Sequence, residues 1–158
     1  ATQHSDSRIQ CISQTNQGLA KTRNRGIAQS CGEYIAFLDA DDLWEATKLE
    51  KQVSALDRDR EIGLVYTWVA YIDSTNQLTG RVFRHHHEGN VWKALTQHNL
   101  VECGSVPLVR RSCLETVGGF DETLSRYNVN EDWDMWLQIA ARYPFKVIQE
   151  PLVYYRQT

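Results

Sequence analysis

Asp39, Asp41 and Asp42 follow directly on the apolar run Tyr34-Ile35-Ala36-Phe37-Leu38, and a divalent cation is what such a group of carboxylates is best suited to hold. Carboxylates on one side of a chain repel one another unless a cation lies between them. Their oxygens suit hard ions such as Mg2+ or Mn2+, and Mg2+ usually keeps several waters and takes its remaining ligands from a substrate's phosphates. Read as a continuing extended chain, the segment puts Asp39 and Asp41 on one side and Ala40 on the other. A second acidic group, Glu131, Asp132 and Asp134, sits where Trp133, Trp136, Leu137 and Ala140 recur at helical spacing. With Asn130 as N-cap, Glu131 and Asp132 fall in the first turn, where the positive end of the helix dipole stabilises carboxylates. On residue chemistry alone, simple capping is the more ordinary use of this pair.

The elements that must position these groups read as an α/β chain. Tyr34 to Leu38 has the continuous apolar character of a strand buried on both faces, and ligands of open α/β sheets bind beyond the carboxyl ends of such strands. Arg8 to Ser13 alternates like a short strand. Ala20 to Ser30 is a helix with Ala20, Ile27 and Ala28 inward, and Gly26 within it marks close packing on the sheet. Thr47 to Leu56 is a helix with Leu49, Val53 and Leu56 inward. Ile62 to Ile72 and Leu78 to Arg84 form a hairpin around Asp73-Ser74-Thr75-Asn76-Gln77. A short helix over Val91 to His98 and a strand over Val106 to Val109 come next. The helix Ser112 to Val117 has Ser112 as N-cap and Gly118 as its stop, and Gly118-Gly119 permits a left-handed backbone before Phe120 enters the core. Glu131 to Tyr143 is the last helix, followed by strands at Phe145 to Ile148 and Pro151 to Arg156.

Composition narrows the possibilities. A chain of 158 residues with 42% apolar residues is one domain with a real core. A net charge of −3 with scattered basic residues offers no surface for nucleic acid. Cys11, Cys31, Cys103 and Cys113 show neither metal-type spacing nor a need for disulfides, and are expected as reduced, buried thiols. No run has the length of a membrane span. The only methionine is Met135, so the sequence is expected to be a fragment. His85-His86-His87 reads as a solvated loop, because successive residues of an extended chain cannot all face one ion.

The run Phe37-Leu38-Asp39-Ala40-Asp41-Asp42-Leu43-Trp44 resembles the Asp-x-Asp segment of family 2 glycosyltransferases. Asn16-Gln17-Gly18-Leu19-Ala20 with Arg23-Asn24, Gly118-Gly119-Phe120-Asp121-Glu122, Glu131-Asp132-Trp133-Asp134 and Pro151-Leu152-Val153-Tyr154-Tyr155-Arg156 match that family in order. The resemblance implies a GT-A fold, a Rossmann-like mixed sheet flanked by helices. It also implies one partial domain over residues 1–158 that lacks the first strands of the nucleotide-binding half, and this puts donor binding by the isolated chain in question. Most relatives carry a proline where Glu45 or Ala46 stands, so the turn there is expected to differ. The implied activity is an inverting, metal-dependent transfer of sugar from a nucleoside diphosphate sugar, a UDP-sugar by preference, to a hydroxyl of a glycan or glycolipid. Mn2+ or Mg2+ would be held by Asp41, with Asp39 assisting through the metal or the donor sugar. Arg23 and Asn24 would lie at the donor. Asp132 would be the base, with Glu131 the second choice, which reverses the preference for capping. The expected location is cytoplasmic, at the inner face of a membrane.

Rival readings fare less well. An EF-hand calcium loop fits Asp39, Asp41 and Glu50 but fails at Leu43 and Trp44, which stand where an oxygen ligand and a glycine are needed. A phosphatase of the haloacid dehalogenase type shares Asp-x-Asp after a strand but continues differently from Asp42-Leu43. A non-catalytic or incomplete fragment of a glycosyltransferase remains the alternative from another class.

Overall fold

A computed structural model of the protein describes residues 6–124 and 130–157. The elements in order are α1 (Leu19–Gln29), β1 (Tyr34–Ala36), β2 (Leu43–Trp44), α2 (Lys48–Arg58), β3 (Leu64–Ile72), β4 (Leu78–Phe83), α3 (Trp92–Leu95), β5 (Leu108–Arg110), α4 (Arg111–Val117), α5 (Glu131–Ala140) and β6 (Phe145–Arg156). The sheet runs β1-β5-β3-β6-β2, and β4 pairs with β3 beyond the reach of β5. Among the described residues only the β3–β6 pair is parallel, so the sheet is mixed. β3 lies at its centre because nearly every residue is apolar, and all but Trp68 are buried.

Helices cover both faces. On one, Met135, Trp136 and Ile139 of α5 pack with Ala20 of α1, Cys113 and Leu114 of α4 and the inward residues of β3 and β6. On the other, Leu56 of α2 packs with Ile62, Val65 and Leu108. Phe120 is buried after Gly118 and Gly119, whose φ values of 91° and 86° are the left-handed turn expected there.

Several local expectations are corrected. Residues 9–18 form no helix or strand, and Ile9 and Ile12 are exposed, because no neighbouring strand takes up their backbone bonds. Gly26 meets open space and Ala28 is exposed, so α1 packs by Ala20 and Arg23 instead. The buried face of α2 is Lys48, Gln52 and Leu56, with Leu49 exposed. α4 starts one residue before Ser112, since the backbone bonds of Arg110 to Gly63 and of Arg111 to Glu33 carry the strand directly into the helix. The two final strands are one, with register shifts beside Pro151, whose missing N–H interrupts the ladder without ending it. All four cysteines are free, but only Cys103 and Cys113 are buried.

Candidate active site

The apolar run ends as a strand at Ala36, and Asp39 to Asp42 close a turn in which Asp42 N donates to Asp39 O at 3.2 Å. The extended alternation that would align Asp39 with Asp41 is therefore absent, and the carboxylates have separate fates. Asp39 is half-buried and accepts from Arg23 Nη2 at 3.0 Å. Asp41 is exposed, and its carboxylate takes no hydrogen bond or ion pair among the described residues. Asp42 is 4% exposed and turned inward, accepting from Ser105 Oγ at 2.6 Å and from Arg156 N at 3.0 Å. Burial pushes its carboxyl above the usual value, against the lowering effect of those two donors.

Arg23 joins the two acidic groups that the sequence keeps far apart. Its guanidinium is almost fully buried and gives Nη2 to Asp39 and Nη1 to Glu131, the latter at 2.8 Å. Room for it comes from Gly104, where an added Cβ would lie 2.3 Å from Nη2. Asp132 stands beside this pair at the start of α5, and its Oδ1 accepts from Trp133 N at 2.7 Å. Burial raises the Asp132 carboxyl above its ordinary value, with Arg23 pulling the other way and Glu131 and Asp39 adding to the rise. Asn130 occupies the N-cap position without a side-chain capping bond. Asp134 accepts from Gln138 at 2.7 Å within the helix.

Arg23, Asp39, Glu131 and Asp132 line one cleft of about 610 Å3, together with Glu102 and Tyr155. A groove of about 590 Å3 lies elsewhere, along the outer side of α2 against Lys146 and Ile148, away from these groups. Neither Asn24 nor Asp41 is among the residues lining the 610 Å3 cleft. Asn24 instead clamps the residue after the glycine pair, accepting from Phe120 N at 2.8 Å and donating to Phe120 O at 2.9 Å. Among the described residues no three metal-ligating side chains converge. The acidic turn offers one free carboxylate, Asp41, next to the paired Asp39; this suits a cation that completes its shell with water and phosphate, not an all-protein cage.

Two residues that organise the turn were not singled out from sequence. Ser105 Oγ accepts from Asp39 N at 3.0 Å while donating to Asp42, and Ser105 O accepts from Trp44 Nε1 at 2.8 Å. Arg156 donates from Nε to Asp41 O at 2.8 Å and from Nη1 to Asp73 O at 2.7 Å, which ties the acidic turn to the β3–β4 hairpin. A serine in a loop carries no periodic signal. Arg156 was visible only as the last residue of a matching run.

This mixed sheet flanked by helices is the fold of the GT-A glycosyltransferases. Staphylococcus aureus TarS, residues 1–349, superposes with a TM-score of 0.69 at 17% identity, covering 91% of this chain and 42% of that one. The family model described as glycosyltransferase like family 2 matches residues 2–158, and the chain belongs to that family. Among curated relatives, an uncharacterized glycosyltransferase of Methanocaldococcus jannaschii, MJ1057, is 32% identical over 157 residues, covering 98% of this chain and 52% of its own length. The Escherichia coli glucosyltransferase WfaP, named for transfer from UDP-Glc to α-D-GlcNAc-diphosphoundecaprenol, is 31% identical over 138 residues, covering 87% and 51%. The chain thus spans about half the length of these relatives.

Proposed function

We propose that this chain is one partial domain of an inverting glycosyltransferase that moves a sugar from a nucleoside diphosphate sugar, a UDP-sugar, to a hydroxyl of a glycan or glycolipid. The observation that carries the reading is the meeting of Asp132 with the Arg23–Asp39–Glu131 cluster in one cleft. In the reaction the acceptor oxygen bonds to the anomeric carbon while the bond to the diphosphate breaks. The diphosphate leaves with the electron pair, and the acceptor proton passes to Asp132. A desolvated carboxyl with a raised proton affinity suits that task, and such general-base assistance contributes about 10²–10⁴-fold. Arg23 neutralises Asp39 and Glu131 through direct ion pairs, whereas among the described residues Asp132 accepts only from Trp133 N, which leaves Asp132 as the base and Glu131 as an anchor.

The cleft lining carries more carboxylates than cations, so an anionic diphosphate needs added positive charge there. Mn2+ or Mg2+, held by Asp41 in the turn next to the cleft with Asp39, which lines it, as the second candidate, would supply neutralisation of the departing diphosphate. The choice of a UDP-sugar is supported by the printed donor of WfaP and by TarS structures in complex with UDP and UDP-GlcNAc. Among the described residues no helix is long and apolar enough to cross a membrane. Action at the cytoplasmic face of a membrane accords with a lipid-linked acceptor such as that named for WfaP. The alternative reading is a segment that folds but turns nothing over.

Calorimetric titration with UDP, with and without Mn2+, tests the proposal. Metal-dependent binding that weakens in Asp41→Ala is the expected result. Equal binding with and without Mn2+ contradicts the metal role, and no binding at all favours the alternative reading.

A further inference from the structure

Glu102 enters the same cleft from the loop between α3 and β5, in a backbone conformation that ordinary folding does not ask of glutamate. Its φ is 76°, in the left-handed region, where a non-glycine residue is strained and persists only when its surroundings over-determine it. Those surroundings are specific. Asn99 Nδ2 donates to Glu102 O at 3.1 Å, while Asn99 Oδ1 accepts from Val101 N at 3.1 Å and Glu102 N at 3.3 Å. The hydroxyl of buried Tyr71 donates to Glu102 Oε1. Tyr71 is itself fixed, edge-on to Tyr155 with centroids 5.7 Å apart and with the Arg81 guanidinium 4.2 Å from its ring centre. One carboxylate oxygen is thereby pinned, and Oε2 takes no hydrogen bond among the described residues. An oriented acceptor beside the Tyr155 ring at the cleft wall matches the chemistry of a sugar, which offers hydroxyl donors at its edge and apolar C–H at its faces.

We propose that Glu102 is a specificity-determining residue for glycosyl transfer, its Oε2 accepting a hydrogen bond from a pyranose hydroxyl bound in the cleft. The proposal rests on reading this cleft as the transfer site. A site built to hydrogen-bond a hydroxyl rejects sugars that lack it, because its own polar group is then left unpaired. The hydroxyl belongs either to the donor sugar or to the acceptor sugar, and the chemistry at Glu102 is the same in both.

The test uses the whole chain and its Glu102→Gln variant, which keeps an oxygen acceptor for Tyr71. Calorimetry with UDP, UDP-glucose and UDP-N-acetylglucosamine in Mn2+ reads the donor. Saturation-transfer NMR with methyl glycosides of glucose, galactose and N-acetylglucosamine reads the free sugar. The expected result is sugar binding at least about tenfold weaker, with UDP binding and melting temperature unchanged. A loss confined to UDP-sugars relative to UDP assigns the donor sugar; a loss confined to methyl glycosides assigns the acceptor; either supports the proposal. Unchanged sugar binding overturns it, as does a variant that melts several degrees lower, which would make Glu102 a strut. A wild-type chain that binds none of these sugars also overturns it. A chain that binds glycosides through Glu102 but not UDP removes the nucleotide reading and leaves this one standing.

Discussion

Arg23 and Lys48 are both buried cations flanking the acidic turn, one on α1 and one on α2, and they are accommodated in opposite ways. Arg23 has two carboxylates within hydrogen-bonding distance and a ring face, Phe120, 5.5 Å from its guanidinium carbon. Lys48 is fully buried with no carboxylate partner among the described residues: its Nζ meets Gln52 Oε1 at 2.8 Å and lies 4.1 Å from the centre of the Trp44 ring. Desolvation pulls the Lys48 amine down to about 7. Compensation therefore decides whether a charge survives burial, and the planar fork of arginine can serve two carboxylates where an ammonium on α2 finds only an amide and a ring.

The comparison can be broken at either end. Asp132→Asn removes the carboxylate that Arg23 does not bond, and transfer by the enzyme should fall about 10²–10⁴-fold. The same variant should melt higher than wild type at pH 7. The wild-type carboxyl is held above its unfolded value, so the stability it confers is complete at pH below about 3.8 and is lost as pH rises through the folded value. Equal turnover would remove Asp132 from the base role. Arg23→Met leaves Asp39 and Glu131 facing one cleft uncompensated; with Asp39 partly open to water the loss should be about 3 kcal/mol, read as a fall in Tm of roughly 10 °C. An unchanged melt would mean that water already screens the cluster.

Lys48→Met should behave in the reverse sense. The folded amine releases its proton near 7 and the unfolded one near 10.5, so wild-type stability rises with pH across that window and is lost as pH falls through 7. Relative to Lys48→Met, the wild type should gain about 2–4 kcal/mol between pH 7 and pH 10 in denaturant unfolding, and a flat difference would contradict neutral burial. Ser105→Ala touches the turn without changing charge. It removes one donor to buried Asp42 and the acceptor of Asp39 N, for a loss of about 1–2 kcal/mol in the same measurement.

Much of this was legible before the structure, for physical reasons that also explain the gaps. The β3 run announces itself because long apolar periodicity has few other uses, and the paired left-handed glycines fix the turn before Phe120. The α5 helix was placed but its face was turned: Met135, Trp136, Ile139 and Ala140 are buried, with Trp133 and Leu137 at the margin of the core. The acidic turn was located but its geometry was not. Period-two alternation holds only while a strand continues, and this one stops at Ala36. The inward face of α2 was misjudged because Lys48 and Gln52 look like surface residues. Gln52 Nε2 reaches the carbonyls of Val65 and Val106, at 2.9 and 3.1 Å, and that compensation is invisible along the chain. Arg23 was one of three basic residues on a short helix, and nothing local separates it from Lys21 or Arg25. Its burial follows from partners 16 and 108 positions away.

The parallel pairing of β3 with β6 sets the order in which this site can come into being. Leu64 to Ile72 must find Phe145 to Arg156 across the intervening hairpin, loops and helices, a closure of the non-local kind that folds slowly. Only then can Arg156 reach Asp41, Asp42 and Asp73. An early compact state with its helices and β3–β4 hairpin in place would still lack a set acidic turn. Competence to bind ligand should accordingly appear in the slowest phase of refolding, after most of the helical signal has returned.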